Sequence, residues 1–416
     1  MYRILINAYA VCPGMGSEPG MGWNWCVNLA KHCELHIITE GEFREEIEKV
    51  VAALPQKENM HFYYNPVTDD IRRMCWNQGD WRFYKYYKEW QWKTYQIAKE
   101  ICENTHIDVL HQLNMIGFRE PGYLWKLSKE KNIPFVWGPI GGLKQFPLNY
   151  SKDGGFKSYL MLRLKNFLNV LQIKYSGRVD KALSQASILI SSIPDSYNAL
   201  HKYKTIDSIV IPETGCFNGE IKEPSYNRFC DGVLNIIWVG KFDYRKRLDI
   251  AIKTIAEAKN KNIYLHIYGK GTSEQNKKYK ELANGLDIQD NILWHGNRPN
   301  DEIKQQMSKQ DLFLFTSVNE DTSTVVLEAI SSNLPVVCFD TCGMSKVINE
   351  TVGIKIPLTN PKQSIKDFAK AINFLNENRE ELKRMSENCM MRKEELSWDN
   401  KIKQMVELYE KVVVGV

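Results

Sequence analysis

The 416-residue sequence contains no run of about eighteen uncharged apolar residues, so it offers no membrane-spanning helix. Its ten cysteines, at 12, 26, 33, 75, 102, 216, 230, 338, 342 and 389, form no C-x-x-C pair. That removes the main support for a zinc ribbon or a thioredoxin-like redox site. No G-x-G-x-x-G follows the first strand with an acidic residue at the proper remove, which disfavours an NAD-dependent dehydrogenase. Internal repeats and low-complexity tracts are missing too. So is a charge of one sign. Lys+Arg number 55 against 50 Asp+Glu, a formal net charge of +5, far from the excess a dedicated nucleic-acid binder carries. Nucleic acid is therefore not an expected partner. The opening residues, MYRILINAYA, read as a strand rather than a charged leader. The expected compartment is the cytoplasm, with the cysteines as free thiols.

What is present is an alternation of short β-branched apolar runs with amphipathic stretches from end to end. This is the α/β pattern of parallel strands covered by helices on both faces. The first half offers strands at 3–8, 35–39, 61–64, 108–112, 133–137 and 187–191. The second offers 234–239, 263–268, 291–294, 312–315 and 335–339. Between them, 212–231 collects prolines and glycines with little periodicity and reads as a linker. After Pro361 the chain reads as helix. The expected organisation is a Rossmann-like domain over 1–215, a second over 216–395, and a helical tail over 396–416 that would pack back on the first. Doubly wound sheets bind ligands at the carboxyl ends of their strands, which makes a cleft between two such domains the default site.

Two segments carry the chemistry. In EDTSTVVLEAISSNL, Glu320 and Glu328 are separated by seven residues, and Thr322, Ser323 and Thr324 suit a helix N-terminus directly after the strand LFLF. Free N–H groups there favour phosphate, although the residues also suit an ordinary cap. In VGKFDYRKRLDIAI a strand ends at Gly240, and Lys241, Arg245, Lys246 and Arg247 crowd the next helix start. Cations there oppose the helix dipole, so a bound anion explains them better than structure does.

Together the two segments resemble the signature of family 4 (GT4) retaining glycosyltransferases of the GT-B fold. Gly240 and Lys241, with Lys246 five residues on, match the G-[RK] pattern, and Glu320 with Glu328 matches E-x7-E. The likeness runs on into LEAISSNLPVVCFDTCGM and includes the glycine-rich GSEPGMGWNW from Gly16. It implies a nucleotide-diphosphate sugar as co-substrate, no other cofactor and no metal. Lys241 and Lys246 would bind the diphosphate and stabilise charge on the leaving group, as a metal does elsewhere. Thr322, Ser323 and Thr324 would complete the phosphate cradle, Glu328 would hold the ribose, and Glu320 would contact the transferred sugar. Gly269, Gly271 and Arg298 would lie around the nucleoside, and Gly20 and Gly22 on a loop beside the leaving phosphate. His111, at a strand's carboxyl end, is the candidate near the anomeric carbon, or else a buried structural histidine. Lys241 in place of arginine loses a bidentate grip; Arg247 and Asp321 stand where glycine is usual, and Glu213 where asparagine is frequent. The resemblance favours front-face attack, with surface polysaccharide or glycolipid assembly as the setting. A non-catalytic sugar-nucleotide or glycan binder and a GT-B-shaped epimerase are the rivals.

Two further segments bear on the acceptor, a glycan or a lipid-linked glycan. In 76–95 nine aromatic residues, Trp76 to Tyr95, interleave with Arg82, Lys85, Lys88 and Lys93, which suits sugar stacking, a membrane interface or a buried helix. In 151–181 seven basic residues face two acidic ones, so the whole formal excess of +5 is local to it. There Leu160, Leu164, Phe167, Leu168 and Leu171 share one helical side. Such an arc rests either on an anionic membrane, placing the protein peripherally on the inner face of the plasma membrane, or on the domain core.

Overall fold

The computed structural model describes residues 1–77, 80–151, 155–217, 229 and 232–415. Most of the linker reading, with Cys230, lies outside the described residues, as do Lys152 and Asp153. The chain divides into two compact units: Met1–Lys144, Leu168–Thr214 and Trp398–Val416 form the first, and Gln145–Phe167 with Gly215–Ser397 the second.

The first unit is built on seven parallel strands, β1 (Arg3–Ala8), β2 (Glu34–Thr39), β3 (Met60–Tyr64), β4 (Val109–Asn114), β5 (Phe135–Ile140), β6 (Ile188–Ser191) and β7 (Ile209–Val210), in the order β3-β2-β1-β4-β5-β6-β7. Alternate residues feed opposite cores. Ile4 and Ile6 join Trp25, Leu29 and Val109 on one face, while Leu5 joins Ile38, Leu110 and Phe135 on the other. Both faces are covered, so β1 is buried without alternation from Ile4 to Ala8, Asn7 included.

The second unit repeats this logic with β8 (Leu234–Val239), β9 (Ile263–Tyr268), β10 (Ile292–Gly296), β11 (Leu312–Phe315), β12 (Val336–Phe339) and β13 (Gly353–Ile356), ordered β10-β9-β8-β11-β12-β13. The strand order reverses between β8 and β11. Helices Pro361–Glu377 and Arg379–Glu395 pack on this unit through Phe368, Ile372, Leu382 and Cys389. The last helix, Trp398–Val414, belongs to the first. There Trp398 meets Trp25 edge-on at 5.7 Å and Lys401 donates to the Pro212 carbonyl at 2.7 Å.

Residues 145–167 fall in the second unit, not in the first domain where the sequence boundary put them. The reason is Tyr150, a fully buried ring edge-on to Phe339 at 5.6 Å, whose hydroxyl meets Ser364 Oγ at 2.7 Å. Phe146 adds a contact to Tyr244 at 5.3 Å. The helix Gly155–Tyr175 then turns its apolar side outward: Phe156 is 79% exposed, Leu160 54%, Leu164 55% and Phe167 58%, while Asn169 and Ile173 face inward. Leu171 is half-buried. The aromatic segment behaves differently. In the helix Phe83–Asn104, Phe83, Tyr87 and Trp90 close around Tyr9 at 5.8, 5.3 and 4.9 Å, leaving Tyr84 and Trp92 exposed, as is Trp81 ahead of the helix. Among the described residues no helix is long and apolar enough to cross a membrane.

The ends of β8 and β9 touch. A Cβ on Gly269, which sits at φ +152°, would lie 1.8 Å from the Gly240 carbonyl oxygen. Gly269→Ala is therefore expected to cost about 2–4 kcal/mol in denaturant unfolding, through overpacking and backbone strain together. Gly296→Ala, at φ +72° but with open space around it, is expected to cost only about 1 kcal/mol. Equal losses would contradict the packing argument.

Candidate functional site

The chemistry gathers where the second sheet reverses its order, at the carboxyl ends of β8 and β11, as a doubly wound sheet requires. After β8 a short turn, Tyr244–Lys246, is capped by Asp243, whose carboxylate accepts from the Arg245 N–H at 2.8 Å and from its guanidinium at 2.8 and 3.0 Å. The segment after β11 binds that turn's carbonyls. Thr316 Oγ1 lies 2.8 Å from the Lys246 carbonyl and 3.0 Å from that of Arg247, and the Val318 N–H donates to Arg245 at 2.9 Å. Trp238 Nε1 fixes the same Thr316 hydroxyl at 3.1 Å.

This stitching brings Lys246 Nζ to 2.6 Å from Glu320 Oε1, with Lys246 also over the Phe315 ring at 5.1 Å. Ser317 Oγ donates to the same carboxylate oxygen at 2.8 Å, and the Glu320 N–H donates to Cys342 Sγ at 3.2 Å. Gly343 N–H donates to the Asp321 carbonyl at 3.1 Å. The loop after β12 thus supports the loop after β11. Thr316, Ser317 and Cys342 hold the candidate groups in place. A hydroxyl pair directly after LFLF was the available sequence signal for the first two.

Lys241 is exposed beside the same strand end. Thr322 and Ser323 are buried ahead of the helix Thr324–Ser331, where Thr324 is exposed. Glu328 lies one helix turn further on, and burial raises its carboxyl above the ordinary range although Asn300 Nδ2 donates to it at 3.1 Å. Gly269 and Gly271 follow β9. Arg298 follows β10, exposed, donating to the His295 carbonyl at 3.1 Å. The His295 ring stacks on Tyr268 at 4.4 Å with planes 6° apart. Gly240, Lys241, Lys246, Gly269, Gly271, Arg298, Glu320, the 322–324 triplet and Glu328 therefore all belong to one end of one sheet.

Other expectations are corrected. Gly20 and Gly22 are not on a loop; both lie inside the helix Ser17–Leu29. Gly22 permits close packing, since a Cβ there would meet the Ala10 carbonyl oxygen at 2.3 Å. His111 is fully buried inside the first unit. Its Nε2–H donates to the Gly138 carbonyl at 2.7 Å, leaving Nδ1 to accept from the Tyr409 hydroxyl at 2.6 Å. Both nitrogens are used, so in this structure it is a structural group. Arg247 is buried too, at φ +50°, with its guanidinium paired to Asp249 at 2.8 Å through two nitrogens and donating to the Tyr150 carbonyl at 3.0 Å.

Within the first unit, sequence reasoning missed a cavity of about 140 Å3 at the carboxyl ends of β1 and β2. Tyr9, Glu18, Glu42, Phe43, Trp76 and Met115 line it. Apolar rings beside carboxylates are the surface a hydroxyl-rich, uncharged ligand calls for. The signal was the run EGEF directly following β2.

Burial holds His111 neutral, lowering its pKa from 6.5 to about 4. Because the folded-state value lies below the unfolded one, stability is full above about pH 6.5 and is lost as pH falls toward 4. Between pH 7 and pH 5 the first unit is expected to lose about 2 kcal/mol from this group. Denaturant unfolding of His111→Gln should lack that part of the slope; an identical slope would reassign it.

Residues 227–390 match the model of the family described as glycosyl transferases group 1. The lipopolysaccharide glucosyltransferase WaaG of Escherichia coli K12 is 28% identical over 116 residues, 27% of this chain and 30% of that protein. The lipopolysaccharide 1,6-galactosyltransferase of the same organism is 32% identical over 108 residues, 25% and 29% respectively. These alignments span about a third of the relatives' lengths. Whole-chain likeness comes from solved structures. Anabaena HepE in complex with UDP superposes with a TM-score of 0.63 at 14% identity, covering 99% of this chain and 100% of that one. Sucrose-phosphate synthase of Thermosynechococcus elongatus gives 0.65 at 14% identity, covering both chains fully. HepE has also been solved with UDP-glucose. The fold is GT-B, and residues 227–390 are similar to the family described as glycosyl transferases group 1.

Proposed function

We propose that the protein is a retaining, metal-independent glycosyltransferase that moves a sugar from a nucleotide-diphosphate donor to a glycan or lipid-linked acceptor in surface polysaccharide or glycolipid assembly. The observation that carries this reading is the Lys246–Glu320 pair, held at 2.6 Å by the stitched loops. A diphosphate entering there draws on Lys246 and Lys241, which stabilise the charge that grows on the leaving group. Glu320, released from the pair, accepts from hydroxyls of the transferred sugar. Glu328 accepts from the ribose, and the 322–324 segment supplies N–H and hydroxyl donors to phosphate. Front-face attack lets the departing diphosphate take the acceptor hydroxyl's proton. UDP-glucose is the first donor to test, since HepE binds it.

Lys246→Ala and Glu320→Gln are each expected to lower kcat by about 10²–10³-fold. Glu328→Ala should act mainly on the donor KM. Donor hydrolysis without acceptor, abolished by these changes, separates an enzyme from a binder; donor bound but left intact would sink the reading. Product anomer configuration by NMR decides retention, and a trapped glycosyl-enzyme adduct would exclude front-face attack.

The acceptor side of the proposal uses the helix Gly155–Tyr175. Phe156, Leu160, Leu164 and Phe167 stand outward beside the exposed Lys157 and Arg163, a face suited to anionic lipid at the inner surface of the plasma membrane. Flotation with anionic vesicles is expected, and Leu160→Ser with Leu164→Ser should abolish it without changing the thermal midpoint. Equal flotation with neutral vesicles would remove the anionic-membrane assignment.

A further inference from the structure

At the amino ends of β2 and β3, away from the carboxyl-end loops, three side chains converge that the transfer reading does not use. β2 and β3 pair in parallel with His36 opposite His61, and Glu34, two residues before His36, shares its face. Glu34 Oε1 is 3.5 Å from His36 Nε2 and 3.5 Å from His61 Nε2. All three ligand atoms lie within 4.8 Å of one another. A tetrahedral zinc site with bonds near 2.0 Å has ligand atoms about 3.3 Å apart, so two of the three edges are already close to length.

The site is built rather than accidental. His36 is 4% exposed, and its Nε2 makes no hydrogen bond among the described residues. Its other nitrogen, Nδ1, is 3.0 Å from the Tyr63 hydroxyl. That arrangement suits a metal-binding imidazole, which donates its second N–H outward while Nε2 faces the ion. Arg3 Nε occupies the other Glu34 oxygen, Oε2, at 3.0 Å, orienting the carboxylate and leaving Oε1 toward the histidines. The two rings stack at 4.9 Å.

We infer that Glu34, His36 and His61 bind one zinc-class divalent ion that clamps the edge strand β3 to β2. Two imidazoles and one carboxylate suit zinc or its neighbours and not magnesium or calcium, which take oxygen ligands. Three protein ligands leave the fourth tetrahedral position to water, and the site stands whether or not the transfer reading does.

The test is calorimetric titration of the chelator-stripped full chain with zinc chloride alone. One saturable equivalent is expected, unaffected by excess magnesium. A rise of about 5 °C or more in thermal midpoint is expected at a hundredfold excess over Kd. His61→Ala, at an exposed position chosen because loss of the buried His36 can unfold the sheet, and Glu34→Gln should each weaken binding at least about tenfold. Cobalt should give a spectrum without a thiolate charge-transfer band. Absence of saturable uptake, uptake unchanged in both variants, or a thiolate band pointing to the cysteines would each overturn the site.

Discussion

The candidate site depends on one constraint, the binding of the β8-loop carbonyls by the residues that follow β11. A parallel sheet whose order reverses must leave two adjacent strand ends whose chains depart in opposite directions, and something has to close the gap. Here Thr316 and Val318 do so by holding residues 245–247. Had those carbonyls turned to water, Lys246 would have no reason to meet Glu320, and neither side chain would be oriented. The tight contact of Gly269 with Gly240 performs the same service one strand over. The geometry of the candidate groups is thus set by contacts to the loop's carbonyls, from the Thr316 hydroxyl and from the Val318 N–H.

Much of this was legible in the sequence for a physical reason. Strands buried on both faces are for the most part apolar along their length, so LFLF and VVCF announced themselves, and the polar residues after them had to lie at the carboxyl edge. The strand β13 was missed because an edge strand is half-exposed and GIKI carries a lysine and a glycine where a central strand would carry branched apolar residues. Residues 145–167 were placed with the wrong unit because Phe146 and Tyr150 pack into the second unit's core, and nothing local distinguishes them from other aromatic residues. The aromatic helix was ambiguous for a related reason. Sequence gives the interleaving of rings and lysines, but only the position of Tyr9 across the sheet determines which rings face inward.

His111 shows the limit of reading by resemblance. A histidine at a strand's carboxyl end is well placed for chemistry, yet the same position is where a final helix can insert a tyrosine hydroxyl. The partner, Tyr409, is 298 residues away, beyond any local pattern. The histidine pair of β2 and β3 is hidden similarly, since 36 and 61 become neighbours only through register.

The basic run 241–247 is also less uniform than it reads. Arg245 is bound by Asp243 and Arg247 by Asp249, so two of its four cations are neutralised by carboxylates two residues away. Arg247 in particular occupies a left-handed backbone position that a glycine would take without strain. Its guanidinium recovers that cost through the Asp249 pair and the Tyr150 carbonyl, and so ties residues 145–167 to the loop that carries Lys246. The departure from glycine is therefore a structural anchor. Of the other two cations Lys241 is exposed and Lys246 pairs with Glu320, and the arginines between and after them hold the loop in which those lysines sit.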